Sequence, residues 1–343
     1  MEGRKEKRKT SNFHLRPSIL NYIIAMDMLK DMKVGVLGGG VSSEREISLL
    51  SANEAYKALR KNNIETVLVD ITTQQEEKVK EVILNSNIDL AFIALHGEFG
   101  EDGKIQKILE ELNIPYTGSG SLASYLAMDK IASKEIFMKK GIPTADFVVY
   151  EAGQPIDNLT SNLKYPAVVK PFFSGSSVGV FIVKNKAELE TALKKAIALQ
   201  PKIIIEDYIE GREFTVGIFE DKPLAVVEIV LKSGYFDFTT KYNDGLAQFI
   251  APAKLEETIY KKIQGIALAA HCALGCKHFS RVDILLGSDY VPYVLEVNSI
   301  PGLTTHSLLP LRAKCCGIDF EELIVRMAQL ALHGKNFKKI RKN

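Results

Sequence analysis

The stretch "RVDILLGSDYVPYVLEVN", residues 281–298, decides the fold. Two apolar runs flank a Gly-Ser-Asp turn, the pattern of a β-hairpin. Side chains alternate across a strand, so Arg281 and Asp283 share one face of the first strand. Glu296 and Asn298 likewise share one face of the second. A loop centred between Asp289 and Tyr290 sets Asp283 directly opposite Glu296. Three oxygen-bearing side chains then converge beside a guanidinium. The plainer reading is a surface ion pair of Arg281 with Asp283 or Glu296, worth only ~0–1 kcal/mol. That is a weak reason to interrupt two strongly apolar strands. Asp, Glu and Asn are hard-oxygen ligands suited to Mg²⁺, so the hairpin is expected to carry a cation site.

Upstream of the hairpin, "EFTVGIFE" and "PLAVVEIVL" add strands, with a helix expected at 256–275. This is an α+β pattern with antiparallel pairs. Earlier still, "AVVKPFFSGSSVGVFIV" reads as two strands joined by a glycine-serine turn, then a helix over 186–198 and the strand "KIIIEDYI". The first part differs. There "KVGVLGGG" (33–40), "ETVLVD" (65–70) and "IDLAFIALHG" (88–97) alternate with helical patterns, which implies right-handed βαβ units and a parallel sheet. "GKIQKILEELNIPYTGSG" adds a further helix and strand, and the helix "MDKIASKEIFMKKG" bridges to the next block. The expected division is an N-terminal α/β domain over 33–126, a central domain over 127–210 and a C-terminal domain over 211–336. Residues 1–32 read as an extension, disordered or an over-long gene start.

Composition narrows the partners. The chain has 343 residues, 46% hydrophobic and 25% charged, ordinary values for a soluble globular protein. At about 150 residues per domain, two or three domains are expected. Net charge is +2, but residues 1–32 hold seven Lys/Arg against four Asp/Glu. The near-neutral remainder argues against nucleic acid, whose binding needs a basic face. No run reaches the ~18–20 apolar residues of a membrane span, so no membrane association is expected. "HCALGCKH" tempts a zinc reading. However, Cys272 and Cys276 sit four apart in an apolar stretch, the spacing of a buried helix face. Structural zinc sites favour tighter thiol pairs with a distant second pair. Together with Cys315 and Cys316 they suit a reducing, cytoplasmic compartment.

Two glycine-rich stretches remain. "VLGGG" lacks the G-x-G-x-x-G spacing of a dinucleotide site. It does free backbone N–H groups at a helix start, where Glu44 and Glu46 also suit the helix dipole. In "VVKPFFSGSSVGV", Lys170 ends a buried strand and must be solvated or paired. Ser174 to Ser177 follow it as a hairpin rich in donors, a flap over phosphates. It is not a Walker A loop, because the lysine precedes the glycines.

These features occur with "GGGVSSEREISL", "ALHGEFGEDG", "PYTGSG", "AMDK", "GCKHFSRVD" and "LEVNSIPGLTTHSL" in one order. Over residues 33–333 the chain resembles the ATP-grasp superfamily and, within it, the D-alanine–D-alanine ligases. The resemblance implies a three-domain ATP-grasp fold, α/β and α+β, that uses ATP and two Mg²⁺ or Mn²⁺ ions to join two D-alanines. It further implies that Lys130 and Lys170 contact the ATP phosphates and that the loop of Gly175, Ser176 and Ser177 closes over them. Glu206, Ile209 and Glu213 would line the adenine and ribose pocket, and Asp283, Glu296 and Asn298 would hold the metals. Glu44 would receive the ammonium of the first D-alanine, with Ser176 and Tyr242 hydrogen-bonded nearby. His96 and Arg281 would lie by the reacting carboxylate. Lys241, Ser307 and Leu308 would recognise the carboxylate of the second D-alanine, and the Gly302 N–H would join Arg281 as an oxyanion hole. Closing flaps are expected at 170–180 and 232–250. Ser174 stands where the family often has an acid, and Tyr242 favours the dipeptide-forming subgroup over the depsipeptide-forming one. The resemblance also implies a homodimer. Three rivals are a ligase joining D-alanine to D-lactate, a nucleotide-binding sensor without turnover, and a dinucleotide dehydrogenase built on "VLGGG".

Overall fold

The computed structural model describes residues 26–156, 163–175, 178–231 and 247–332. A helical turn over 26–30 precedes β1 (Lys33–Gly39). Leu29 is fully buried and Met32 nearly so, so the last residues assigned to the extension join the core. They pack in one cluster with Val34, Val36 and Phe92, and residues 1–25 of the expected extension lie outside the described residues.

α1 (Arg45–Lys61), β2 (Glu65–Ile71), α2 (Glu76–Asn85) and β3 (Leu90–Ile93) follow. The sheet is parallel, in the order β2-β1-β3. Val34, Val36 and Leu37 are all fully buried, as a parallel strand covered on both faces requires. α1 turns Ser48, Ser51, Ala52, Ala55 and Leu59 inward, one face at helical spacing. The strand expected at "PYTG" is only a single bridge, Tyr116 to Ala91. Pro115 lacks an N–H for a ladder and Gly118 turns the chain at φ +92°.

α3 (Lys104–Glu111) leads to two helices where one was expected, α4 (Ser121–Met128) and α5 (Lys130–Lys139). Asp129 separates them, its extended backbone and side chain capping α5 by accepting from the Ala132 N–H. The second sheet is β4 (Phe147–Glu151), β5 (Ala167–Pro171), β6 (Phe181–Val183) and β7 (Lys202–Asp207), in the order β4-β7-β5-β6. It is backed by α6 (Lys186–Ile197), which buries Leu189, Ala192, Leu193 and Ala196.

The third sheet holds β8 (Gly211–Phe219), β9 (Lys222–Leu231), β10 (Ala247–Ile250), β11 (Phe279–Gly287) and β12 (Pro292–Asn298). Its order is β10-β9-β8-β11-β12, antiparallel throughout. Residues 247–250, expected within a flap, are thus a strand. α7 (Glu257–Ala273) packs on this sheet through Ile263, Ala267 and Ala270. The helix ends before Gly275, which has φ +72°. Cys276 therefore leaves the helical register and is buried, while Cys272 is exposed, contrary to the expectation of two core thiols. α8 (Leu308–Cys315) and α9 (Phe320–Leu330) close the chain. Leu309, Leu323, Ile324 and Met327 return to the first sheet and share a core with Val34, Val36 and Phe92. Full burial of each such side chain stabilises by roughly 1.5–3 kcal/mol. Among the described residues no helix is long and apolar enough to cross a membrane.

Candidate active site

The hairpin that opened the reading is β11 and β12. Asp283 does face Glu296 and Arg281 faces Asn298. The route differs from the one expected. Ile284 pairs with Val294 and Leu286 with Pro292, so the loop is centred on Asp289. A bulge between Asp283 and Ile284 then restores the pairing.

The acids at this end are held tightly. Arg281 grips Asp283 with two parallel bonds, Nε to Oδ1 at 2.9 Å and Nη2 to Oδ2 at 2.8 Å. Thr215 on β8 donates its hydroxyl to Asp283 Oδ1 at 2.5 Å, and the Asn298 amide donates to Oδ2 at 3.1 Å. The ion pair weighed above exists, but it is largely buried rather than superficial. Burial opposes the charge of Arg281, yet Asp283 outweighs it and lifts the pKa above its usual value. Among the described residues no cluster of three His, Cys, Asp or Glu side chains suits a metal. Two carboxylates and the Asn298 amide oxygen nonetheless form a hard-oxygen set that fits Mg²⁺ or Mn²⁺ in chemistry. Rotation of the Asn298 amide exchanges its donor for its acceptor.

Asp283 and Glu296 face a cleft of about 520 Å³ between the second and third sheets. Lys130, Lys170, Glu206, Ile209, Glu213, Asp283 and Glu296 all line it, and its size is that of a small-molecule site. Glu206 on β7 sits between two lysines, Lys170 Nζ at 2.8 Å and Lys134 Nζ at 3.1 Å. Burial raises the carboxyl of Glu206, but the lysines outweigh it and the pKa falls below its usual value. Lys130 Nζ lies 3.4 Å from Glu296 and donates to the Ser174 carbonyl at 2.5 Å, which ties α5 to the segment after β5. Burial lowers the Lys130 pKa, and Glu296 opposes that shift.

Lys134 escaped the sequence reading, although it stands one helical turn after Lys130 on α5. Its ammonium also donates to Thr144 Oγ1 at 2.7 Å. Burial pushes its pKa from 10.5 down to about 8. Between these values the unfolded chain binds the extra proton. Stability contributed by this group therefore rises as pH increases from about 8 to about 10.5. Denaturant unfolding across that window should show a rising slope that Lys134→Met flattens; equal slopes would remove the assignment.

The second half of the site gathers around the first sheet. His96 follows β3 and is buried. Its N–H donates to Ser48 Oγ at 2.8 Å, and its ring reaches Ser51 Oγ at 2.8 Å and the Ile300 carbonyl at 3.2 Å. A carbonyl only accepts, so Nδ1 carries the proton and Ser51 donates to Nε2. His96 thus ties α1 to the loop that follows β12. Glu101, also unforeseen, lies 3.5 Å from His96 Nδ1. Burial pushes the Glu101 carboxyl up, opposed by His96. Glu44 occupies a narrow slot. Its Oε2 is 2.5 Å from where a Cβ on Gly97 would stand and 3.9 Å from where one on Gly175 would. Gly97, at φ +72°, is required there on both counts. Gly302 makes similar room for Ser307, whose Oγ would be 2.9 Å from its Cβ. Ser307 then accepts from the Thr304 N–H at 3.0 Å and heads α8, placing Leu308 in its first turn. Ser176, Ser177, Lys241 and Tyr242, with most of the 232–250 flap, lie outside the described residues.

Two antiparallel sheets with a cation-suited hairpin in the cleft between them define an ATP-grasp fold. Comparison with known proteins sharpens this. Residues 136–329 match the family described as D-ala D-ala ligase C-terminus, and residues 72–119 match D-ala D-ala ligase N-terminus. The D-alanine–D-alanine ligase of Geotalea uraniireducens (strain Rf4) is 44% identical over 308 residues, covering 90% of this chain and 98% of that protein. The structure of the D-alanine–D-alanine ligase from Bacillus anthracis complexed with ATP matches at TM-score 0.77 and 37% identity, over 88% of this chain and 97% of that one. The VanG D-Ala:D-Ser ligase from Enterococcus faecalis matches at TM-score 0.75 and 30% identity, over 87% and 99%. The chain belongs to the D-alanine–D-alanine ligase family.

Proposed function

We infer that this protein is an ATP-dependent ligase that joins two D-alanines into D-alanyl-D-alanine, a peptidoglycan precursor. The observation that carries the reading is the single cleft shared by Lys130, Lys170, Asp283 and Glu296 in a chain of this family. A carboxylate resists attack by an amine. Transfer of the γ-phosphoryl group of ATP to the first D-alanine gives an acyl phosphate and ADP. The amine of the second D-alanine then attacks, and phosphate leaves with the C–O bond.

Catalysis of this kind is positioning plus charge neutralisation. Lys130 and Lys170 hold the phosphates, and Glu206 presets the Lys170 ammonium from below at 2.8 Å. Ile209 and Glu213 line the base and sugar end. Asp283, Glu296 and Asn298 would hold two Mg²⁺ or Mn²⁺ ions, which when bound neutralise charge developing on the phosphate oxygens. Arg281 and the Gly302 N–H stabilise the tetrahedral oxyanion. Glu44 receives the first ammonium, a role that the family resemblance extends to Ser176 and Tyr242. His96 fixes the loop carrying Gly302, and Lys241, Ser307 and Leu308 receive the second carboxylate. The loop of Gly175, Ser176 and Ser177 covers the phosphates and keeps water from the acyl phosphate. The family resemblance supports a homodimer, which sedimentation equilibrium checks, and ATP use with exposed free thiols suits the cytoplasm.

Phosphate release from ATP should require D-alanine, with L-alanine giving no rate above background. Equal release with both, or ATP binding with neither, would overturn the reading and favour a sensor. Offering D-lactate or D-serine as the second substrate at neutral pH separates a dipeptide-forming enzyme from its relatives.

A further inference from the structure

α8 carries a charge that the reaction above does not use. Arg312 is fully buried. Its Nε donates to the Thr215 carbonyl at 3.2 Å, and neither Nη nitrogen has a hydrogen-bond partner. A buried guanidinium with unanswered N–H groups is costly, and exchange of buried ions for apolar side chains of similar volume is often stabilising. A costly group set against a working site points to a use for its charge.

Register shows where that charge lies. Thr215 pairs with Asp283 and Gly217 with Arg281 across β8 and β11, and paired residues share a face of the sheet. A Cβ on Gly217 would stand 2.7 Å from Leu309 and 3.3 Å from Arg312 Cδ. Glycine at 217 therefore admits α8 onto the face that carries Arg281 and Asp283. One residue separates Arg312 from the acid. The Thr215 carbonyl accepts from Arg312, and the Thr215 hydroxyl donates to Asp283. Burial, then repulsion by Arg281, push the Arg312 pKa down to about 9, against the pull of Asp283 and Cys315. The group stays charged at neutral pH.

Resting on the reading of Asp283, Glu296 and Asn298 as a divalent-cation site, we propose that Arg312 is a positioning residue that acts on that site through Thr215 and Asp283. Its fixed charge repels the cation and so sets how tightly the metal is held. A metal that must leave with its nucleotide after each turnover is held less firmly than the bare acids would hold it. Removal of one positive charge at this range should tighten cation binding by about tenfold.

The test uses the full chain with a saturating non-hydrolysable ATP analogue. Mn²⁺ is titrated in, and the free ion is read by electron paramagnetic resonance. Arg312→Met and Arg312→Gln should bind Mn²⁺ about tenfold more tightly than wild type, and Arg312→Lys should match wild type. Arg312→Met should also unfold at a higher temperature. A plain structural strut predicts the reverse, looser Mn²⁺ binding and a lower melting point. Unchanged or weaker affinity in the uncharged variants overturns the proposal, and so does failure of both to fold. Wild-type protein that takes up no Mn²⁺ overturns the cation site itself, whereas wild-type binding with unaltered variants removes only the role of Arg312.

Discussion

Glu296→Gln lowers kcat by on the order of 10²–10³ while the protein stays folded. Glutamine keeps the shape and removes the charge. If Glu296 is a metal ligand, the loss is several kcal/mol of charge stabilisation, at about 1.4 kcal/mol per factor of ten. A second consequence follows from Lys130, whose Nζ lies 3.4 Å from Glu296. Burial already lowers the Lys130 pKa, and Glu296 is the largest opposing influence. Without it the ammonium gives up its proton more readily, so the variant should regain some activity as pH falls, where the wild type should not. Steady-state rates across pH, beside thermal unfolding, check both parts. Wild-type turnover in the variant removes Glu296 from the metal site.

The hairpin that holds Glu296 was legible because its pattern is local. Alternation places Arg281 with Asp283 and Glu296 with Asn298 on their faces whatever the rest of the chain does. The register was reached through a wrong loop centre and a compensating bulge, and nothing in "GSDYVPY" announces a bulge. Short strands such as β4 and β10 exist through pairing with β7 and β9 rather than through their own patterns. Lys134 and Thr215 were missed for a related reason. Lys134 matters because α5 brings it against Glu206 on β7, and Thr215 because β8 lies beside β11. Spacing offered a hint for Lys134, four residues after Lys130. Arg312 offered none, since its isolation is a property of burial. The residues with named family roles came from the resemblance; Lys130, Lys170, Glu206, Ile209, Glu213, Asp283 and Glu296 line the cleft, whereas Glu44, His96, Gly175, Arg281, Asn298, Gly302, Ser307 and Leu308 stand outside its lining.

Arg281→Met should be the most damaging single change at the site, in two measurable ways. Arg281 answers both oxygens of Asp283, and the Asp283 side chain is only 8% exposed. Removal of one partner from a buried pair leaves an uncompensated charge, at about 3–5 kcal/mol. Thr215 and Asn298 still donate to Asp283, which places the expected loss of unfolding free energy at the lower end of that range. Turnover falls independently, by about 10²–10³ for one oxyanion donor. The double variant Arg281→Met with Asp283→Asn separates the two effects. Neutralising the stranded acid restores most of the stability, because the charge that demanded a partner is gone. It restores no activity, because the oxyanion donor and a proposed metal ligand are both missing. Denaturant unfolding and D-alanine-dependent phosphate release on the same preparations read the two quantities. Recovery of turnover in the double variant would show that Arg281 serves only to neutralise Asp283, and the oxyanion role would pass to the Gly302 N–H alone.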